Sequence, residues 1–505
     1  MAQRGLIERY RERLHGVLSC YDRMVVTGTR PQVCHAAGMT SFLYAQGIRI
    51  FDYPRFAEPL REAIRTRAQE LAASAGVEIE HLHKTHIRKE EVIAKVLERR
   101  GDHPGLVHVI SVMATCPSDK PWHDKANGKT FLKPDTGKCL HDYFYFLDPQ
   151  VGLCDRRVPP WCPFRLQFYC NGHGGLANQL RSRGIGFTLA DNAFVRIDDW
   201  ERAQALADAL SPKALHRVLD RYARRCCPVE KTSDQRYHWS LMQAAYATDP
   251  VFRSAETLTP LDEQLSRQAV LSVKAEQVAT FLGKRITPQL AQEIGSRFST
   301  RIEGTCIKHR RGTAQVKMYD KFKRVLRIET TVNDVSFFKH HRKVEHRNGA
   351  DTDELAPLKK TIYSLIDRCE ILLGCNRRYL EYRSVLDDPS AGVRALDRLS
   401  EDRRQHDRPV KGLNFFKRSA QALLRALQQP EFNIRGVRRA DLHALLPDLS
   451  PATLSRQLKR LRVLGLIKRV AGTYRYDLTR LGRAAIAAAC SITEIRIVPA
   501  LAAVR

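Results

Sequence analysis

The chain has 505 residues, a length that exceeds one hydrophobic core and predicts two or three domains. Its composition, 43% hydrophobic and 28% charged, is typical of a globular protein and excludes a low-complexity or disordered chain. The formal net charge of +29, from 84 Lys and Arg against 55 Asp and Glu, favours a polyanionic partner. Nucleic acid is therefore the leading partner class.

Two features of the chain bear on its location. The N-terminal segment mixes charges into a helical pattern, and we expect no later run to reach the length of a spanning helix. The thirteen cysteines, an odd number, are scattered along the chain and indicate reduced thiols rather than a disulfide framework. We therefore expect a cytoplasmic protein without a membrane partner.

The first part of the chain predicts an N-terminal α/β region, 1–125. Helical patterns such as Pro54–Gly76 alternate there with strand-like runs such as Leu106–Ala114. The turn-rich stretch Trp122–Lys138 predicts a hairpin or loop that leads into the next sheet.

A central mixed α/β domain is predicted for residues 126–386. His141–Pro159 has two aromatic or β-branched runs on either side of an Asp-Pro and Gly turn, which predicts a β-hairpin. Residues 200–295 have mainly helical spacing, residues 301–335 alternate as strands do, and long helices follow Pro357. The fold class is therefore α+β or mixed α/β, in several domains.

The stretch AQVKMYDKFKRVLRIETTVND, 314–334, predicts a hairpin with a three-residue loop, 322–324. This register pairs Met318 with Ile328 on one face, and it pairs Tyr319 with Arg327 and Lys317 with Glu329 on the other. Asp320 is the exception, because strand parity places it on the apolar face.

The polar face of this hairpin has two interpretations. A nicking enzyme needs a tyrosine nucleophile, acids that hold a divalent cation and cations that hold the scissile phosphate, so Tyr319, Glu329 and Arg327 are candidate catalytic residues. The alternative is a basic, half-buried sheet face with cross-strand ion pairs that touches nucleic acid. Strand parity favours the alternative, since it separates Asp320 from the other polar residues.

A second catalytic hypothesis places a divalent metal on carboxylates. Asp148 ends a strand before a hairpin turn, and its candidate partners are Asp191 and a third acid, Glu329 or Asp334, as in two-metal nucleases and transposases. Mg²⁺ or Mn²⁺ would be the cofactor only of such a nuclease, and the sequence does not define a cofactor for the other hypotheses. A turn-forming Asp-Pro at 148–149 and an Asx turn at Asp191 explain the same residues without a metal.

The C-terminal region carries the most specific pattern of the chain. A charged segment, 387–411, predicts a linker before a domain at 412–490 and a tail at 491–505. In this domain a short helix at 439–446 is followed by a turn, and Ser450 then serves as the N-cap of a second helix with Pro451 at its first position.

That second helix has one apolar side and one basic side. Leu454, Leu458, Leu461 and Leu464 recur at three- and four-residue steps, and a hairpin around Ala471-Gly472 follows. This order predicts a winged helix-turn-helix, and between Ser450 and Arg483 there are nine Lys or Arg and a single acid. The candidate DNA-contacting residues are Ser450, Thr453, Ser455, Arg456, Lys459, Arg460, Arg462, Lys468, Arg469 and Arg475.

This domain resembles MarR-like winged-helix domains, which implies DNA binding with the second helix in the major groove. The whole chain resembles a bacterial family of long MarR-like winged-helix proteins, through the motifs CYDRMVVTGT, WCPFRLQFYCNGH, DNAFVRI, RIEGTCIKH, KMYDKFKRVLRIETTVNDVSFFKH and NRRYLEY. The YDK and LRIE strands are also similar to a short arrangement in rolling-circle replication initiators.

The sequence therefore predicts a nucleic-acid-binding protein that grips duplex DNA through a C-terminal winged helix, of a mobile-element type. One alternative is a DNA-nicking replication initiator or a transposase-like nuclease, which would use Tyr319 or the carboxylate metal site. Another is a non-enzymatic DNA-binding regulator whose large body senses a ligand or a partner. DNA is the expected partner, and RNA is the alternative for the central domain.

Overall fold

The computed structural model of the protein describes residues 5–83, 87–101, 103–161, 164–229, 235–273, 275–284, 297–303, 306–346, 349–387, 390–405, 408–429 and 431–502. The described chain is mixed α/β, as the alternating patterns predict. It divides into two units, Met1–Asp387 and Asp388–Arg505, and each has a hydrophobic core of its own.

The first unit contains most of the strands. They are β1 (Leu14–Thr29), β2 (Ile79–Leu82), β3 (Gly105–Asp124), β4 (Lys129–Asp148), β5 (Gly152–Val158), β6 (Leu166–Cys170), β7 (Phe187–Ala190), β8 (Ala193–Ile197), β9 (His238–Phe252), β10 (Phe298–Glu303), β11 (Cys306–Arg311), β12 (Ala314–Lys321), β13 (Val325–Val332), β14 (Lys339–Glu345) and β15 (Asp351–Pro357).

Its helices are α1 (Leu6–Arg9), α2 (Ala36–Ala45), α3 (Tyr53–Ser74), α4 (Lys89–Arg100), α5 (Gly172–Ser182), α6 (Trp200–Asp208), α7 (Pro212–Cys226), α8 (Ala255–Ser272), α9 (Ala275–Phe281) and α10 (Leu365–Asp387). The long helix α10 follows Pro357, as predicted.

Among the described residues, eleven strands form one sheet in the order β10-β11-β12-β13-β9-β1-β6-β5-β4-β3-β2. All neighbours are antiparallel except β2 and β3. Apart from β2, the two halves of the sheet share one connectivity. In the first half β1 leads through helices into the antiparallel strands β3 to β6, and β6 pairs with β1; in the second half β9 leads through helices into β10 to β13, and β13 pairs with β9. The sequence shows no repeat that would predict this arrangement.

The two faces of the central sheet pack against different helices. Tyr21, Met24 and Val26 of β1 belong to the large core, which includes residues of α3, α7, α8 and α10. Leu18 and Cys20 lie in a smaller core with α5 and α6. The side chains of β1 alternate with the period of two that a strand imposes, and the register shift between Tyr21 and Arg23 turns Met24 and Val26 to the same side as Tyr21. Polar positions remain on the α5 side at the centre of the sheet.

The central strand β9 differs from the helical structure predicted for residues 200–295. Its middle is rich in alanine, which favours helices in isolation. Ala244, Ala245 and Ala247 are buried in the sheet because β9 lies between β1 and β13. Small side chains suit a strand enclosed by neighbours, so tertiary packing overrides local propensity here.

The boundary predicted between 125 and 126 falls in the turn between β3 and β4. These two strands pair along their whole length, from Gly105 opposite Leu147 to Asp124 opposite Lys129, so residues on both sides of the boundary belong to one hairpin. The predicted hairpin at His141–Pro159 is confirmed by the pairing of β4 with β5. The twelve cysteines among the described residues are free thiols, as expected.

The second unit begins inside the predicted linker. Its elements are α11 (Ser390–Ser400), β16 (Arg403–Gln405), β17 (Arg408–Val410), α12 (Arg418–Leu427), α13 (Phe432–Arg435), α14 (Arg439–Leu445), α15 (Pro451–Val463), β18 (Ile467–Arg469), β19 (Tyr476–Leu478), α16 (Arg480–Ile492) and α17 (Val498–Ala502). Within 387–411, α11 places Leu399 in the core of this unit, so one apolar residue of the charged segment packs there.

The helical run Arg480–Ala502 is long and apolar enough, by length and composition, to cross a membrane, contrary to the expectation from the sequence. About a quarter of its most apolar window, 24%, is buried inside the protein. Ile486, Ala489 and Cys490 pack in the core of the second unit. The same length and composition also occur in core helices.

Candidate functional site

The first place where predicted site residues meet is a charged cluster on the α5 side of the central sheet. Arg327 and Glu329 come from β13, Lys317 and Tyr319 from β12, Asp22 from β1, Asp249 from β9 and His173 from the first turn of α5. We call these seven residues the charged cluster.

Arg327 is the centre of the charged cluster, and its side chain is fully buried. Its Nε donates to Asp249 Oδ1 at 2.8 Å and its Nη2 to Asp249 Oδ2 at 2.6 Å, which is a bidentate pair. Nη1 donates to Asp22 Oδ1 at 3.0 Å, and Nη2 also reaches the Asn192 carbonyl oxygen at 2.8 Å. These bonds compensate the loss of hydration of a buried guanidinium.

The electrostatics of Asp249 follow from this pairing. Burial alone would raise the pKa of its carboxyl group, but the charge of Arg327 and hydrogen bonds to His173 and Arg327 outweigh burial and lower the pKa to about 2. The negative charge on Asp249 is therefore part of the folded structure.

Asp22 and His173 complete the acid side of the charged cluster. The β1–β9 register shifts between Tyr21 and Arg23, and this irregularity lies at Asp22. His173 Nδ1 is 3.4 Å from Asp22 Oδ1, and its Nε2 is 3.5 Å from Asp249 Oδ2. Burial raises the pKa of the Asp22 carboxyl group even though Arg327 lies beside it, so this acid ionises less readily than Asp249.

The predicted hairpin register is confirmed on the other side of the charged cluster. Tyr319 lies opposite Arg327 and Lys317 opposite Glu329, with the loop at 322–324. Lys317 Nζ donates to Glu329 Oε1 at 2.8 Å and Tyr319 Oη donates to Glu329 Oε2 at 2.9 Å. Asp320 lies on the opposite face, as predicted. Burial and the negative charge of Asp320 together raise the pKa of the Asp262 carboxyl group in α8 to about 6.

These contacts bear directly on the chemistry of Tyr319. Burial and the negative charge of Glu329 raise the pKa of its hydroxyl group, which is the opposite of what activates a tyrosine nucleophile. Burial opposes ionisation of Glu329 as well, but the charge and hydrogen bond of Lys317 outweigh it and lower the pKa of this carboxyl group. Glu329 is therefore a weak base, and Tyr319 stays protonated in this arrangement.

The structure does not bring together the carboxylates considered for a metal. Asp148 Oδ1 accepts from the backbone N–H groups of Gln150 and Val151 at 2.8 and 3.1 Å, and its Oδ2 accepts from Tyr222 Oη at 2.7 Å. Asp191 lies in the exposed β7–β8 turn, 3.4 Å from Lys321 Nζ. Asp148 thus occupies the turn that the alternative interpretation predicts. In the described part of the chain, no group of three or more His, Cys, Asp or Glu side chains is placed to hold a metal ion.

The second place where predicted residues meet is on α15 and the hairpin after it. Leu454, Leu458 and Leu461 are buried, and Ser450 caps the helix by accepting from the Thr453 backbone N–H at 3.2 Å. We call four exposed cations of α15 and β18 the basic surface: Arg456, Lys459, Arg462 and Lys468. None of the four has an ion pair within the described residues, so their charge is available to a partner.

Other predicted contact residues of this region have structural partners. Arg460 Nε donates to the Lys411 carbonyl oxygen at 2.8 Å, and Arg475 Nη1 donates to the Arg435 carbonyl oxygen at 2.7 Å. Arg469 Nε donates to the Thr473 carbonyl oxygen at 2.8 Å. Ser455 stays exposed and Thr453 half-buried on the first two turns of α15. Arg460 and Arg475 therefore tie the helix and the hairpin to neighbouring segments.

Two exposed residues near the basic surface were missed by the sequence analysis. Arg439, at the start of α14, reaches Ser455 Oγ at 3.4 Å, so it adds a cation beside the first turns of α15. Tyr474, in the turn between β18 and β19, is 81% exposed, and Arg469 lies over its ring at 5.2 Å. An aromatic residue in a turn flanked by arginines was the signal that could have identified it.

No protein-family model, curated protein or solved structure that was compared with the chain matches it. The resemblances to MarR-like proteins and to replication initiators therefore rest on their sequence motifs alone.

Proposed function

We propose that the protein binds duplex DNA through a winged helix in its second unit, with α15 in the major groove. The order of elements supports this proposal: α12, α14 and α15 are followed by the β18–β19 hairpin, and Val437 pairs with Tyr476 as a short third strand. In winged helices the helix equivalent to α15 enters the groove and the hairpin lies along the backbone.

The observation that carries the proposal is the division of α15 into two sides. The leucines on one side are buried, while Arg456, Lys459 and Arg462 are exposed on the other. Phosphate groups attract such unpaired cations and release counterions when they bind, which gives affinity that depends on salt. Thr453, Ser455 and Arg456 lie near the N-terminal end of α15, where a recognition helix contacts base edges.

A double substitution tests the proposal in the full-length chain. Arg456→Ala with Lys459→Ala removes two cations of the basic surface without changing a buried residue. We expect weaker binding to a duplex DNA fragment, and the slope of log affinity against log salt to decrease by about 2. Fluorescence anisotropy at several salt concentrations measures both quantities.

The matched control is Lys417→Ala with Arg418→Ala, which removes the same charge from exposed positions at the start of α12. We expect this variant to lose less affinity than the first. Unchanged affinity in the first variant, or equal losses in both, would contradict a specific role for α15.

A further inference from the structure

The sheet has a gap beside the first half of β1. The five-residue strand β6 pairs with β1 from Met24 to Gly28, so the part of β1 before Met24 has no strand on that side among the described residues. Gln204 of α6 fills one position: the Ser19 N–H donates to Gln204 Oε1 at 2.8 Å, and Gln204 Nε2 donates to the Ser19 carbonyl oxygen at 3.0 Å. A side-chain amide thus replaces the missing strand.

The helix α5 crosses this gap directly after β6. Its first residue, Gly172, lies so close to β1 that an added Cβ would be 2.1 Å from the Tyr21 carbonyl oxygen. Residues of α6, of α7 and of the turn between β4 and β5 line other sides of the gap. A cavity of about 340 Å³ remains between β1, α5, α6 and α7, and all of its lining residues belong to the first unit.

We propose that this cavity is a binding site for a small, uncharged and mostly apolar molecule. Its volume lies within the range of small-molecule sites, about 300–1,000 Å³. Apolar side chains form much of its wall, including Met24, Leu176, Leu206, Ala207, Leu215 and Val218.

The chemistry of the wall selects against a charged ligand. No Asp, Glu, Lys, Arg or His is among the lining residues. The two thiols at the buried end, Cys20 and Cys170, stay protonated because burial raises their pKa, to about 12 for Cys170. A charge placed there would lose its hydration without gaining a partner, which is costly.

The entrance supplies the polar groups that orient a ligand. Gln150 and Ser182 are lining residues exposed to solvent, and Gln179 lies one turn of α5 from Ser182. The carboxamides of Gln150 and Gln179 offer both donors and acceptors to one polar group of the ligand. An apolar body with a single hydroxyl or neutral arylamine group therefore fits the site, and this inference is independent of DNA binding.

The test uses the neutral fluorophore N-phenyl-1-naphthylamine with the full-length protein. We expect saturable fluorescence enhancement, competition by neutral 1-naphthol, and at least tenfold weaker competition by the anion 1-naphthalenesulfonate. Absence of saturable binding, or equal competition by the neutral and the charged molecule, would overturn the proposal.

Two variants locate the binding. Ala207→Phe and Ala214→Leu add volume at two lining positions from different helices, and we expect each to weaken binding of the fluorophore at least tenfold while the thermal midpoint stays equal or rises. Ala205→Phe, at an exposed position of α6, is the control and should bind as the wild type does. If both lining variants melt as the wild type does and still bind normally, the fluorophore is not in this cavity.

Discussion

At the scale of single residues, the charged cluster shows what one stretch of sequence can and cannot reveal. Alternation within β12 and β13 predicts the face that carries Tyr319, Arg327 and Glu329. The acids that hold Arg327 come from distant strands, Asp22 lying 305 residues away and Asp249 78 residues away. No local pattern links such positions, so the ionic partners of a buried arginine become visible only when the strands are ordered in the sheet.

Asp249 makes the stability of the protein depend on pH. Folding lowers the pKa of this carboxyl group from 3.8 to about 2, so the unfolded chain binds its proton more tightly than the folded chain does. The resulting stabilisation, about 2 kcal/mol, is present above the unfolded pKa and is lost as the pH falls through 3.8 toward about 2. We expect Asp249→Asn to show a free energy of unfolding that changes less than that of the wild type across this range.

Urea denaturation followed by circular dichroism at a series of pH values measures this difference. Glu201→Gln, at an exposed position of α6, is the control and should follow the wild-type profile. Parallel profiles for Asp249→Asn and the wild type would show that the pair with Arg327 contributes no pH-dependent stability.

At the scale of secondary-structure elements, an element with strong local signals is predicted well, whereas a strand enclosed by neighbouring strands is predicted poorly. Helix α15 follows from its Ser450 cap, Pro451 and the spacing of its leucines. Strand β9 was missed because its alanines carry no alternation, and its burial comes from β1 and β13 on either side. The cavity depends in the same way on the short length of β6, which is a property of the sheet rather than of a motif.

The gap in the sheet makes a prediction about Gln204. Its carboxamide bonds both backbone groups of Ser19. Gln204→Leu should therefore leave the largely buried Ser19 N–H without a partner, while the Ser19 carbonyl oxygen keeps its hydrogen bond from Tyr246 Oη at 3.2 Å. We expect a loss of about 1–3 kcal/mol in the free energy of unfolding, measured by urea denaturation. Arg202→Ala, exposed on the same helix, should change it little, and a stable Gln204→Leu variant would mean that water or a backbone shift replaces the amide.

At the scale of the whole molecule, the two proposed activities, DNA binding and small-molecule binding, belong to different units. The basic surface belongs to the second unit, while the cavity and the charged cluster belong to the first. The shared connectivity of the β1 and β9 halves could not be predicted, since the sequence carries no matching repeat and topology alone defines it. The charged segment 387–411 was predicted as a linker because its apolar residues are few, although α11 uses one of them for packing.

Separate cores predict that each unit folds on its own. We expect a fragment of residues 390–505 to melt cooperatively, because its core is built from its own helices and hairpin. It should retain the DNA affinity that Arg456→Ala with Lys459→Ala reduces, whereas a fragment of residues 1–387 should retain binding of the neutral fluorophore. Circular dichroism melts, anisotropy and fluorescence titrations of the two fragments measure these properties. A 390–505 fragment that melts cooperatively but does not bind DNA would contradict the proposed function. The second unit would then be folded, and the exposed cations of α15 would be insufficient for DNA binding.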